Sequence, residues 1–390
     1  MNRQVTQPEH EILRILLEGG DYSLTALSSI SGMSVPTVTK YVSNLAEKGL
    51  VENGGKVSID HGRRPTLYRV KADSSIFVGV DIRPQAVIIG MMDIGGRFFY
   101  NEETPLSFSS TPETLEMICS RVEEAIAASG VEAVRVHRIS FNISGRVNPR
   151  TGFSYSMFNF ENNDEPLSET LSQRLGICSI IENDTRAMAY GELRLAVKDR
   201  FKDFLFINAG WGLGMSIIIG GEPYYGMEGY SGELGHTNVF DNEKICHCGK
   251  KGCLETEVSG KAICAKFRQR LKEGAVSLLH PETHFTELDV IEAANKEDTL
   301  SIELIEQAGS LLGKQIANLI NIFNPEAVII GGTLASAGDF FIQPIKLAVQ
   351  RYTLKLMSKN MVIKLSDLGQ NAGVRGACLL ARDDYFKTML

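Results

Sequence analysis

The sequence predicts an α/β protein in which an N-terminal winged helix-turn-helix is followed by two related lobes around a cleft. Three observations lead there. The first seventy residues hold three short amphipathic helical stretches, then two strand-like runs joined by a basic turn. From Ile76 a meander of apolar strands gives way to helices, and a similar series recurs after Phe204. A chain of 390 residues also exceeds one ordinary core, so two or three domains are expected. The boundaries fall at residues 1–72 for the head, 73–180 for the first lobe with a returning C-terminal helix at 370–390, and 181–369 for the second lobe.

In the head, Glu9 to Leu17 sets Ile12, Leu13, Ile15, Leu16 and Leu17 at helical spacing, and Gly19-Gly20 ends the run. Ser23 can cap a second helix with Leu24, Leu27 and Ile30 turned inward. Gly32 permits a tight turn. Ser34 then caps a third helix, with Pro36 in its first turn and Val38, Val42 and Leu45 as its buried stripe. Ser28, Gly32 and Val38 have helix-turn-helix spacing: a small residue where two helices cross, a glycine in the turn, a valine packed between them.

The third helix presents Ser34, Thr37, Thr39, Lys40, Ser43 and Asn44, short donors and acceptors plus a cation, suited to base edges and phosphates of the major groove. Strand-like stretches around Val57 and Leu67–Val70 flank Asp60-His61-Gly62-Arg63-Arg64-Pro65. This reads as a wing whose Arg63 and Arg64 enter the minor groove or pair with phosphates. The bland alternative is a small helical dimerisation module with a solvated loop. Spacing, capping and basic wing agree over one continuous stretch, which favours double-stranded DNA as partner.

Charge divides accordingly. Residues 1–72 carry nine Lys/Arg against seven Asp/Glu, a net of +2, whereas the remaining residues hold 31 against 40, a net of −9. Overall the net charge of −7 argues against a chain that coats nucleic acid along its length. The apolar runs are too short to span a bilayer and no secretion leader is evident, so the expectation is a cytoplasmic protein without membrane insertion.

In the body, Ile76 to Asp81, Ala86 to Met92 and Arg97 to Tyr100 read as strands and Pro112–Ser129 as a helix. Phe204–Ile207 and Met215–Ile219 repeat the strand pattern, and Ala327 to Gly332 reads as a buried strand ending in a glycine turn. Asn183-Asp184 follows the strand-like Ser179 to Glu182 and begins a helix over Thr185 to Leu193. Taken alone, Asn-Asp before a helix is more often a cap than a ligand site.

Of seven cysteines, three lie in one loop as Cys246-X-Cys248-X4-Cys253. In a cytosolic chain such spacing reads as a metal site rather than a disulfide framework. Three thiolates and one imidazole make a closed tetrahedral Zn2+ site whose role is structural. By spacing, either His236 or His247 can be the fourth ligand.

Gly232-Glu233-Leu234-Gly235-His236, followed by Cys246 to Glu255, carries a wider resemblance. Residues 76–382 are similar to the ROK family (repressor, open reading frame, kinase), and the helix-turn-helix in front resembles its repressor branch. The resemblance implies two actin-like (ribonuclease H-like) sugar-kinase lobes, and it favours His236 as the fourth zinc ligand. It also implies a sugar held by Gly145, Asn159, Asn183, Asp184, Glu233, His236 and Glu255. Asp184 would be the general base in a kinase. ROK kinases keep an Asp-X-Gly-Gly-Thr-Lys turn after the first strand, where this chain has Asp81-Ile82-Arg83-Pro84-Gln85-Ala86. Their second phosphate loop reads Gly-Thr-Gly, where this chain has Gly210-Trp211-Gly212. Two phosphate elements have decayed while the sugar side persists, so no catalytic residue is expected.

The function implied is a sugar-responsive transcriptional regulator, a repressor of carbohydrate metabolism, acting as a homodimer or homotetramer. A protein partner from sugar transport is a further option, and an active ATP-dependent sugar kinase is the alternative reading.

Overall fold

The computed structural model describes residues 5–56, 65–106, 109–158 and 165–389. Arg63, Arg64 and Asn159 lie outside the described residues. Compact packing divides the chain into one unit of residues 1–143, 152–181 and 377–390 and a second of residues 144–151 and 182–376.

The head belongs to the first unit and contains α1 (Gln7–Gly19), α2 (Leu24–Ser31) and α3 (Val35–Glu47). Strands β1 (Tyr22–Ser23), β2 (Val51–Lys56) and β3 (Thr66–Val70) form a small sheet in the order β1-β3-β2. Ser23 accepts a hydrogen bond from the Ala26 amide and Ser34 one from the Thr37 amide, so both expected caps form. Gly32 ends α2 at φ +69°, a left-handed conformation that a side chain disfavours. Leu27, Val38, Val42 and Leu45 are fully buried.

One expectation needs correction. Ile30 is 53% exposed, because the turn at Gly32 carries the last residues of α2 away from the core. Val57, around which the first strand of the wing is expected, lies outside the described residues; just before it, β2 pairs with β3 from Val51 to Lys56.

Glu9 is 1% exposed and ties α1 to α3. Its carboxylate accepts from the Lys48 ammonium at 2.7 Å, the Asn44 amide at 3.0 Å and the Thr6 backbone N–H at 2.8 Å. Burial alone would raise its pKa, but the bonds from Lys48, Thr6 and Asn44 outweigh it and hold the group below its usual 4.5. A depressed carboxylate pKa adds stability at neutral pH that is lost as pH falls through the folded-state value. Thermal melts are therefore expected to show the head loosening below about pH 4.5, and Glu9→Gln to flatten that acid dependence. Equal slopes for both proteins would refute this.

The rest of the first unit is a five-stranded sheet of β4 (Ile76–Ile82), β5 (Ala86–Asp93), β6 (Phe98–Pro105), β7 (Val136–Ile143) and β10 (Ser179–Asn183), the last of which runs into the second unit. Helices α4 (Pro112–Ala128) and α5 (Leu167–Leu175) and the short strand β9 (Phe153–Ser154) complete it, while β8 (Val147–Asn148) lies in the second unit. Every residue of β4 and β5 is buried, as expected of a central hairpin covered on both faces.

The second unit contains α6 (Asp184–Gly191), which continues as a π-helix over Glu192–Val197. Its sheet comprises β11 (Phe204–Ala209), β12 (Leu213–Ile219), β13 (Glu222–Pro223), β14 (Ala327–Gly331) and β15 (Val362–Leu365). Packed with it are α7 (Glu255–Val258), α8 (Gly260–Lys272), α9 (Glu287–Asn295), α10 (Thr299–Phe323), α11 (Asp339–Tyr352) and α12 (Lys355–Ser358).

Numbered in chain order within each sheet, both large sheets have the order 3-2-1-4-5. In each the first strand pairs antiparallel with the second and parallel with the fourth. The recurring strand series in the sequence is thus one topology used twice.

The last helix, α13 (Ala372–Thr388), begins in the second unit and ends in the first. Within the first unit its end joins the core of the head: the Val5 amide donates to the Met389 carbonyl at 3.3 Å. Tyr385 and Met389 share that core with Ile12, Leu13 and Phe77.

Candidate functional site

On α3, Thr39, Lys40 and Ser43 are exposed, while Thr37 and Asn44 are half-buried. Asn44 donates to Glu9, so this side chain serves the helix packing. The Thr39 hydroxyl donates to the Val35 carbonyl at 2.8 Å, and Ser34 is engaged with Thr37 at 2.7 Å.

In the second unit, strand β12 touches three of the segments that carry expected ligand residues. Thr185, adjacent to Asp184, abuts Gly214 so closely that a Cβ there would lie 2.3 Å from its hydroxyl. A Cβ on Gly232 would lie 2.0 Å from the Met215 carbonyl, and one on Gly235 would lie 2.4 Å from that of Leu213. These contacts lay the Glu233–His236 segment along the same strand. The Leu213 amide in turn donates to Glu255 at 3.1 Å.

Asn183 caps α6, its side-chain oxygen accepting from the Arg186 amide at 3.1 Å while its NH2 donates to the Gly145 carbonyl at 2.9 Å. The cap reading of this residue is realised, and it does not compete with a ligand role, because an amide has four hydrogen-bonding valences. Asp184 accepts from the Ser144 hydroxyl at 2.6 Å and from the Thr185 amide at 2.7 Å. Segment 144–151, which carries Gly145, packs within the second unit.

The ligand atoms of His236, Cys246, Cys248 and Cys253 all lie within 4.8 Å of one another, a set able to hold a metal ion. His236 turns Nδ1 to the Cys246 sulfur at 3.5 Å and Nε2 to Glu233 at 3.7 Å. His247 Nδ1 lies 3.8 Å from Cys246 but 2.9 Å from Glu255, so it faces a carboxylate more closely than a thiol.

The two segments that stand where kinases have phosphate turns each have a defined local structure. Arg83 pairs with Asp81 at 2.9 Å and its amide closes a tight hairpin onto the Ala86 carbonyl at 2.8 Å. In the second loop the Gly210 and Trp211 carbonyls accept the Gly260 and Lys261 amides at 2.7 and 3.3 Å. The first amides of α8 therefore bind the loop itself. Trp211 packs half-buried against the apolar core.

Sequence reasoning missed the Glu9 lock and a buried cluster of Glu182, Arg186 and Tyr225. The spacing of Glu182 and Arg186, four residues apart, was the one signal available.

A winged helix-turn-helix in front of two actin-type lobes, the second bearing an Asn-Asp cap and a cysteine-rich loop, defines a DNA-binding head on a sugar-kinase scaffold. The chain belongs to the ROK family, whose model matches residues 77–384, and residues 8–52 match a model described as winged helix-turn-helix DNA-binding. It is 25% identical over 377 residues to the xylose repressor of Caldicellulosiruptor bescii, covering 96% of this chain and 94% of that protein. It is 30% identical over 315 residues to a glucokinase of Halalkalibacterium halodurans, covering 78% of this chain and 94% of that one. Among solved structures, a ROK family transcriptional regulator, a homologue of the Escherichia coli MLC protein, aligns with a TM-score of 0.81 at 25% identity. The alignment covers 98% of this chain and 97% of that chain.

Proposed function

We propose that the protein is a sugar-responsive transcriptional repressor of carbohydrate metabolism that binds operator DNA through its head and an effector sugar in the second unit, without phosphoryl transfer. The observation that carries this reading is the asymmetry of the body: Thr185 beside Asp184, the Glu233–His236 segment and Glu255 all touch β12, whereas the turn at Asp81–Ala86 lacks the glycines, threonine and lysine of a phosphate site and Trp211 stands where the second loop has threonine. The repressor relative and the regulator structure are also matched over nearly their whole length, head included.

The metal is zinc. For Zn–S bonds near 2.3 Å and Zn–N bonds near 2.0 Å, a tetrahedron has S–S edges of about 3.8 Å and S–N edges of about 3.5 Å. The Cys248–Cys253 separation of 3.7 Å and the Cys246–His236 separation of 3.5 Å support that assignment. Four protein ligands leave no open position, so the ion braces the loop that carries His236 and Glu255. The symmetry of operator half-sites supports a homodimer or homotetramer, and a DNA-binding head supports a cytoplasmic location.

The glucokinase similarity gives the rival a concrete form, and a coupled assay with ATP across hexoses, amino sugars and xylose decides. Turnover of about 1 s⁻¹ or more, ordinary for kinases, would overturn the proposal. On the DNA side, Arg63→Ala and Arg64→Ala are each expected to weaken binding across sequences and lower the salt slope by about one. Lys40→Ala and Thr39→Ala should instead alter base preference; uniform loss over all sequences would refute base reading by α3.

A further inference from the structure

We infer that Arg186 is a positioning residue for the effector: its guanidinium clamps together the three segments that carry the ligand residues. The inference rests on the sugar-binding reading above. Arg186 is 4% exposed and has no outlet to solvent for its charge. Nε donates to Glu182 at 2.7 Å, Nη1 to the Gly229 carbonyl at 2.6 Å and Nη2 to the Val147 carbonyl at 3.0 Å. Glu182 in turn accepts from the Tyr225 hydroxyl at 3.1 Å and from the Asn183 amide at 2.6 Å. The guanidinium also sits 5.3 Å from the centre of the Tyr225 ring.

Each anchored segment is short of a ligand residue by only a few positions. Val147 lies two residues beyond Gly145, Glu182 directly precedes Asn183-Asp184, and Gly229 lies four before Glu233. The two loops also touch each other, since a Cβ on Gly229 would lie 3.2 Å from the Val147 carbonyl. Lysine cannot replace this arrangement, because only the planar fork reaches two carbonyls and a carboxylate at once.

A buried ion pair is a poor device for stability alone, since apolar residues of similar volume hold a core equally well. Its distinctive effect is geometric. It fixes loops 144–151 and 225–236 against the start of α6, so that Gly145, Asp184 and Glu233 present one preformed set of partners.

The test separates position from stability. Arg186→Met strands the Glu182 charge and is expected to lower Tm. The double variant Glu182→Gln/Arg186→Met removes that charge, while the Gln oxygen can still accept from the Asn183 amide and its NH2 can donate to the Tyr225 hydroxyl oxygen, and its Tm is expected to recover most of the loss. Calorimetric titration with D-glucose, D-xylose and N-acetyl-D-glucosamine is expected to show its affinity still reduced on the order of tenfold for whichever sugar the wild type binds. Amide hydrogen exchange of the unliganded full chain should quicken about tenfold in residues 144–151 and 225–236 and stay unchanged in β14 and α10.

Wild-type sugar affinity in the double variant would overturn the inference, as would unaltered exchange in the two loops. If the wild type binds none of the sugars, the effector reading falls, and the exchange rates still decide whether Arg186 holds the loops.

Discussion

Removal of the metal is expected to weaken sugar binding severely while leaving the head able to hold DNA. The cysteine loop has little apolar core of its own. Its order rests on a few backbone bonds, among them the Val239 amide to the Gly252 carbonyl at 2.8 Å and the Leu254 amide to the Thr237 carbonyl at 3.0 Å. In small zinc domains the ion contributes about 10–16 kcal/mol of apparent folding energy, far more than a few such bonds supply. Without it, His236 and the neighbouring Glu233 lose their anchor, and Glu255, two residues after Cys253, loses its hold on the Leu213 amide.

A chelator, or Cys253→Ala at a fully buried ligand, should therefore weaken effector affinity by about 100-fold or more. The chain's only tryptophan, Trp211, lies two residues from Leu213, so its fluorescence should shift as Glu255 is released. The measurements are metal content by mass spectrometry, sugar titration and operator binding on the same samples. Metal-free protein that binds sugar as tightly as the native form would show that the loop is not part of the site.

Asp184→Ala is expected to leave a repressor that binds its operator and no longer answers to sugar. The carboxylate is held by Ser144 on one oxygen and by Thr185 on the other, so it is fixed before any ligand arrives. Hydrogen bonds to a charged acceptor contribute about 1.5–3 kcal/mol each, and loss of one or two implies a fall in affinity of about 10- to 100-fold or more. Asp184→Asn keeps an acceptor for Ser144 and should lose less. Operator release measured against sugar concentration reads the effect directly, and release at wild-type concentrations by the alanine variant would remove Asp184 from the site.

Both expectations start from short motifs that could be read before any fold was known. Local signals work over a few residues, and they gave the head its caps at Ser23 and Ser34, its turn at Gly32 and its buried stripe at Val38, Val42 and Leu45. The Cys246–Cys253 spacing and the Asn183-Asp184 cap belong to the same kind. Ile30 failed because its exposure depends on where the next helix goes rather than on its own periodicity.

The sequence by itself thus determined the helix-turn-helix, the three-cysteine loop of a candidate metal site and the absence of the kinase-type phosphate turns, since each is encoded in residues close along the chain. Only the tertiary structure decided that both lobes share one strand order, that Asn44 serves Glu9 across 35 residues, and that Arg186 joins carbonyls 39 and 43 residues away. The physical reason is that such contacts depend on which surfaces meet when the chain closes on itself. No local pattern of side chains specifies that meeting.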